Sequence, residues 1–416
     1  MDKTITSSRV KGILRPPCSK SYAQRALAAS LLAEEVSVLR NIGFCDDTQS
    51  ALRCIEALGA NVCAINPTTL SIDGGLKPSG NTLHVGESGL AARLFTPLAS
   101  LCSTPLTIIG EGSLLQRPMQ PLIEPLRQLG VRVRDNGNGY LPLEVCGPLQ
   151  GGEIDVDGSL SSQFITGLLL ALPMAAKDTV LHVHNAVSTP YLEMTIDTAA
   201  RFGVEIFHNN YEEFYIAGGQ HYRPAYISIE GDWSAAAMLL VAGAIAGEVT
   251  VHNMSMLSKQ ADTAICTALV RAGAAVTDEL NAITATQQPL RAFSFNATHC
   301  PDLFPALVAL AAAAEGVSTL RGTSRLEHKE CNRAEALRDQ YAKLGIEVNI
   351  DEPDVMRIRG GKICGARVES CDDHRIAMSL AVSALRSNQP VTICNAECVA
   401  KSYPDFFEDL DKIRQQ

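Results

Sequence analysis

One pattern recurs six times along this chain. Each copy has a polar or glycine-bearing opening, an apolar helix, a short strand, a second helix ending near Leu-Gly, and a further strand. The openings fall near Lys20, Gly89, Ser161, Ser234, Asp302 and Arg375, so the period is nearly constant. The short strands, VSVLRNI from Val36, LTIIGEG from Leu106, TVLHVHN from Thr179, EVTVHNM from Glu248, GVSTLRG from Gly316 and PVTICNA from Pro390, are β-branched and alternating, as half-buried strands should be. Second helices such as TQSALRCIEALGANV and AEALRDQYAKLGIEV repeat apolar residues at three- and four-residue spacing. Each closes on a glycine able to take a left-handed cap. The period exceeds that of common solenoid repeats. It predicts an α/β chain of small βαβ-type modules packed about a local axis, three to a globule and two globules in all.

The 416 residues leave room for two or three domains. No Gly/Ser- or Pro-rich linker divides them, and the turn signals of Gly218 to Ala225, GGQHYRPA, mark the best boundary. With 46% hydrophobic and 19% charged residues the composition is globular. A formal net charge of −10 argues against a general nucleic-acid binder, although a local cluster of Lys and Arg would still hold a small anion. The start, MDKTITSSRVKG, has no apolar core of an export signal. Apolar stretches such as Ala235 to Gly247 fall short of the roughly 18 residues of a membrane span. Thirteen scattered cysteines without CxxC pairs fit free thiols in a reducing cytoplasm, with no metal site. No GxxxxGK[ST] and no GxGxxG after a strand is present, which disfavours nucleotide binding.

Polar residues gather where the first helices begin. Cys18-Ser19-Lys20-Ser21-Tyr22-Ala23-Gln24-Arg25 opens an Ala/Leu helix, and Gly86-Glu87-Ser88-Gly89 opens the next with Arg93 one turn inside. Ser161-Ser162-Gln163 opens the third and Asp373-His374-Arg375 the sixth. A helix N-terminus presents unpaired N–H groups and a partial positive charge, so it attracts anions. Taken singly, each serine is more simply a cap and each cation a solvated side chain. Their recurrence at matched ends favours a cradle for a substrate with several negative groups. Each charge-assisted contact there would contribute roughly 1.5–3 kcal/mol.

Read in order, these segments resemble those of the 5-enolpyruvylshikimate-3-phosphate synthases. CSKSYAQRAL is similar to that family's GSKSxxxRAL, GESGLAARL to GNAGTAMRxL, and Gln116-Arg117-Pro118-Met119 to xRPM. DGSLSSQF matches DGSxSSQF, and Ser188-Thr189-Pro190-Tyr191 matches SxPY. Cys300-Pro301-Asp302 falls at the PD element, and Lys329-Glu330-Cys331-Asn332-Arg333 at KExxR. The segment from Asp373 to Met378 matches DHRxAM, and that from Ala400 to Phe406 matches AKxxPDxF.

The resemblance implies a two-domain inside-out α/β barrel of six βαβ-type modules, the enolpyruvyl transferase architecture. Residues 15–225 would hold modules one to three, and residues 1–14 with 226–416 modules four to six, the active site lying in the interdomain cleft. It implies transfer of enolpyruvyl from phosphoenolpyruvate to the 5-hydroxyl of shikimate 3-phosphate, with release of phosphate. The enzyme would be a cytoplasmic monomer working on small molecules, needing no cofactor and no metal, with no nucleic-acid or membrane partner.

By the same resemblance, shikimate 3-phosphate is expected at Lys20, Ser21, Arg25, Ser161, Ser162 and Gln163, with Ser188, Tyr191, Asp302 and Lys329. Phosphoenolpyruvate is expected at Lys20, Gly89, Arg117, Gln163 and Arg333, with His374, Arg375 and Lys401. Arginine suits both ligands because its fork matches carboxylate and phosphate, while lysine acts as a compact charge. Asp302 is the expected base at the 5-hydroxyl, the plainer alternative being an N-cap before LFPALVAL. Glu330, or a lysine such as Lys20, would serve the methylene carbon, and Lys401 completes the catalytic set. An acid role for Glu330 requires closure and exclusion of water to raise its proton affinity. His374 is expected to orient phosphate or Glu330, against the alternative of a satisfied core histidine.

The chain departs from the family pattern at five places. Glu87 stands where many relatives have Asn, Leu90 where Thr is usual, and Leu94 where Pro is usual. Arg325 replaces an Asn that often contacts the shikimate ligand, and Cys18 replaces Gly. Because Leu90 and Leu94 alter the helix behind Gly89, weakened inhibition is expected by glyphosate, the family's inhibitor at the phosphoenolpyruvate site. The sister transferase acting on UDP-N-acetylglucosamine is the nearer rival, but its AKNxALP-type start differs from SKSYAQRAL. A non-catalytic anion-binding relative would not require Asp302, Glu330 and Lys401.

Overall fold

The computed structural model describes residues 1–415. The chain divides into two units, one of Cys18–Glu230 and one of Met1–Pro17 together with the chain from Gly231 on. In the first unit the helices are α1 (Lys20–Leu32), α2 (Asp46–Ala57), α3 (Gly89–Ala99), α4 (Gln120–Gln128), α5 (Ser162–Ala171) and α6 (Thr189–Arg201). In the second they are α7 (Trp233–Ala246), α8 (Ile265–Ala272), α9 (Phe304–Ala312), α10 (Arg333–Lys343), α11 (His374–Ala384) and α12 (Phe406–Ile413).

The odd-numbered helices α1, α3 and α5 are almost wholly buried, as are α7, α9 and α11, and beyond their polar openings they are mostly apolar. A helix with no polar face belongs at the centre of a core, and within each unit these three pack on one another. Close packing needs small residues at the crossings. A Cβ on Gly167 of α5 would come within 2.2 Å of the Arg93 carbonyl oxygen in α3. The even-numbered helices carry one apolar stripe. Five of them end where the sequence supplies a glycine: Gly59, Gly130, Gly203, Gly273 and Gly345 all take φ between 77° and 116°, the left-handed cap that only glycine adopts without strain.

Each module adds one sheet. In the second module the spatial order is Thr82–His84, Leu106–Ile109, Leu143–Cys146, Arg132–Asp135, the first pair parallel and the others antiparallel. The same order recurs in modules one, three, four and five, and the sixth has three strands. The parallel pair bridged by an odd-numbered helix is the βαβ element that the repeat predicted. Some of the strands leading into these helices, such as the three-residue Thr82–His84, are too short to show alternation.

Two leading strands are exchanged. Val10–Leu14 precedes α1 in sequence but pairs with Gly247–His252 beside α7. Tyr226–Ser228 precedes α7 but pairs with Val38–Arg40 in the sheet of α1. Residues 226–228 therefore belong to the first unit, and the chain leaves it at Glu230 rather than Ala225. Likewise residues 15–17 belong to the second unit, where the Asp232 N–H donates to the Pro17 carbonyl. Among the described residues no helix is long and apolar enough to cross a membrane, and all thirteen cysteines are free thiols.

Candidate active site

In the first unit the openings are capped as helix N-termini. Ser19, Ser88 and Ser161 accept from the backbone N–H groups of Tyr22, Ala91 and Gln163. The side chains beside these caps carry the charge. Lys20 Nζ lies 2.8 Å from Asp47 Oδ2 at the start of α2. Arg93 donates from Nη1 to Gln163 Oε1 at 2.7 Å and from Nη2 to the Pro118 carbonyl, with its guanidinium over the Phe164 ring. Arg117 is only 7% exposed, and its Nε finds no partner among the described residues. It crosses the start of α3 directly over Gly89, where a Cβ would sit 2.7 Å from Nη1. Glycine at this position is what lets a guanidinium reach the helix N-terminus.

Arg25 turns inward. Its donors go to Thr195 Oγ1, Thr166 Oγ1 and the carbonyls of Ser21 and Tyr191, bracing α1 against α5 and α6. Burial draws its pKa down to about 10. Ser162 is the buried first residue of α5, and Ser188 precedes α6 in the left-handed region at φ 55°, a conformation uncommon for serine. Glu87 is turned toward Gly112 and Ser113, whose hydroxyl donates to it. Leu90 and Leu94 are buried in α3.

In the second unit Asp302 is not a cap. It sits in the one-turn helix Pro301–Leu303, and α9 begins behind it without a side-chain cap. Asp302 Oδ1 instead accepts from Lys329 Nζ at 3.2 Å and Arg333 Nη1 at 2.8 Å, and Oδ2 accepts from Arg375 Nη2 at 3.1 Å. Arg333, 1% exposed, also donates to Glu330 Oε2 at 2.6 Å and Asp373 Oδ2 at 2.7 Å. Asp373 in turn caps α11 by accepting from the Arg375 N–H. Three cations thus interlock with three carboxylates. Burial alone would push the Asp302 carboxyl up, but Arg375, Lys329 and Arg333 together hold it well below the usual carboxylate range. Burial lowers Lys329, with Asp302 pulling it back. His374 is buried beside Asp373, and Lys401, also buried, ends a 3-10 turn packed on α11.

Sequence reasoning passed over Asp47 and Asp262. The repeat itself contains the signal. A nearly constant step leads from each opening to a polar residue in or beside the next helix or turn: Lys20 to Asp47, Gly89 to Arg117, Ser161 to Ser188, Ser234 to Asp262, Asp302 to Glu330, Arg375 to Lys401. The structure joins several of these couples directly, Lys20 with Asp47, Gly89 with Arg117 and Ser234 with Asp262.

An architecture of six such modules, with cations and carboxylates at the helix ends, is that of an enolpyruvyl transferase. The enolpyruvyl transferase NikO of Streptomyces tendae superposes with a TM-score of 0.79 at 19% identity, covering 99% of this chain and 96% of that one. An EPSP synthase structure from Acinetobacter baumannii gives a TM-score of 0.85 at 26% identity, covering 99% and 98%. The family model for EPSP synthase (3-phosphoshikimate 1-carboxyvinyltransferase) matches residues 5–410. Relatives named 3-phosphoshikimate 1-carboxyvinyltransferase include one from Methanosarcina acetivorans, 37% identical over 99% of this chain and 98% of its own, and one from Clostridium novyi, 34% identical over 98% and 96%. The chain belongs to the EPSP synthase family.

Proposed function

We propose that this enzyme transfers the carboxyvinyl group of phosphoenolpyruvate to the 5-hydroxyl of shikimate 3-phosphate and releases phosphate. The observation that carries the reading is Asp302, an ionised carboxylate held by Lys329, Arg333 and Arg375 where a plain helix cap would have sufficed. In this reading Ser161, Ser162, Gln163 and Ser188 hold the shikimate phosphate, with Lys20, Ser21 and Tyr191, backed by Arg25, at the ring. Phosphoenolpyruvate meets Gly89, Arg117, Arg333, Arg375 and Lys401.

Anionic substrate groups compete with Asp302 for Lys329 and Arg375. As those cations turn to substrate, Asp302 becomes more basic and accepts the 5-hydroxyl proton. The oxygen attacks C2 of phosphoenolpyruvate while a proton is delivered to its methylene carbon. The tetrahedral adduct then expels phosphate, and a methyl proton leaves to restore the double bond. Glu330, ion-paired with Arg333, suits acceptance of that last proton, and Lys20 suits delivery of the first. In this reading the enzyme works in the cytoplasm as a monomer. The decisive experiment measures inorganic phosphate with each substrate alone and with both. Release that requires both supports the proposal, and release with UDP-N-acetylglucosamine in place of shikimate 3-phosphate overturns it.

A further inference from the structure

Five of the six repeats place a residue of the proposed site, or the ion-pair partner of one, nearly the same step beyond the opening. The fourth places Asp262 there. Asp262 lies in the one-turn helix Ala261–Ala264, which packs on α7, and is 2% exposed. The Ser234 hydroxyl donates to its Oδ2, while its Oδ1 is buried without a hydrogen-bond partner among the described residues. The neighbouring Gln260 locks the turn onto the start of α7, accepting from the Trp233 N–H and donating to the Gly231 carbonyl. The Asp262 turn, the Asp302 turn and α11 all pack on α7, which brings the charges of Asp302, Arg375 and the α7 cap Asp232 to bear on Asp262, and that of Asp262 on Cys300. Arg375 also has a buried Nε without a hydrogen-bond partner among the described residues. A carboxyl buried this deeply, with one oxygen unsatisfied, is costly unless it serves its surroundings.

We propose that Asp262 is a further positioning residue of this site, acting through Arg375 and Asp302 by gaining and losing a proton. The inference rests on the proposed reaction. Burial and then Asp302 push the Asp262 carboxyl up to about 7, with Arg375 and Ser234 drawing it back, so it changes charge near neutrality. Neutral Asp262 leaves Arg375 its full attraction for a substrate anion. Ionised Asp262 opposes that anion and makes Asp302 more basic. Cys300, pushed up by burial and both carboxylates, stays a neutral thiol.

The test compares the whole enzyme with Asp262→Asn, which keeps the shape and the bond to Ser234 but stays neutral. Kinetic constants for phosphoenolpyruvate are taken from pH 6 to 8.5, and the ratio of wild-type to variant KM cancels the titration of the substrate itself. If bound substrate shifts Asp262 by about one pKa unit, linkage makes this ratio climb about sevenfold over that range. The difference is smallest at pH 6. At pH 8.5 the variant has the lower KM and the lower kcat, a split that general loss of structure does not produce. Calorimetry in buffers of different ionisation enthalpy gives a second readout. Near pH 7.5 the wild type takes up about half a proton more than the variant on binding phosphoenolpyruvate. A ratio flat within twofold, with equal proton uptake, overturns the assignment, as does a loss equal at every pH. A wild type that releases no phosphate from both substrates overturns the proposed reaction instead.

Discussion

Replacing Asp302 by Asn tests the chemistry with little change of shape. The wild-type carboxylate accepts three bonds, two at Oδ1 and one at Oδ2. An amide offers one acceptor, so if its oxygen keeps Lys329 and Arg333, its NH2 faces Arg375, donor against donor. The cluster of Lys329, Arg333 and Arg375 against Asp302, Glu330 and Asp373 goes from balanced to one excess positive charge. Phosphoenolpyruvate should bind as well or better, with KM unchanged or lower. Turnover should fall by roughly 10²–10⁴, the range for losing a general base, or about 2.7–5.4 kcal/mol in the barrier. The side chain is 22% exposed, so the lost charge-assisted bond should lower folding stability by about 1.5 kcal/mol, the low end of its range. The folded carboxyl is depressed, so its stabilisation is fully present above the unfolded value of about 3.9 and is lost as pH falls through the folded value. The stability gap between wild type and Asp302→Asn should be full at pH 7 and shrink below about pH 4. Phosphate-release kinetics and thermal melts across pH measure both. A kcat within about fivefold of wild type, or a raised KM with kcat kept, refutes Asp302 as the base.

Arg333→Lys should cost about 3–5 kcal/mol in urea unfolding, because one ammonium cannot replace a buried fork that serves Asp302, Glu330 and Asp373; a loss under about 1 kcal/mol contradicts this. Lys20→Met removes the partner of buried Asp47 and should lower turnover at least ~100-fold. Near-normal turnover would take Lys20 out of the mechanism. Glyphosate titrated against phosphoenolpyruvate should inhibit weakly, since Leu90 and Leu94 fill the core side of α3 behind Gly89; inhibition as tight as in relatives with Thr and Pro there rejects the idea.

Much of the fold was legible because its determinants are local and written six times. The recurring unit predicted modules packed about a local axis, and Leu-Gly endings predicted left-handed caps that Gly59, Gly130, Gly203, Gly273 and Gly345 all adopt. Leading strands such as Thr82–His84 were hidden, since three residues carry no period. The motif around Lys329 to Arg333 pointed to the charged cluster, but nothing local says that Arg333 would join three carboxylates.

By itself, then, the amino-acid order set the modules, their caps and the polar character of each helix start, because capping and periodicity depend on residues a few positions apart. Which charge meets which was left to packing. Asp302 and Arg375 open successive modules, far apart in the chain, and touch only because α9 and α11 pack side by side. The same packing buries Arg25 among hydroxyls and carbonyls and exposes Asp262 to the charges of two groups from other modules. Ion pairing acts over a few ångströms of space, and only the folded core makes residues so far apart in sequence neighbours at that range.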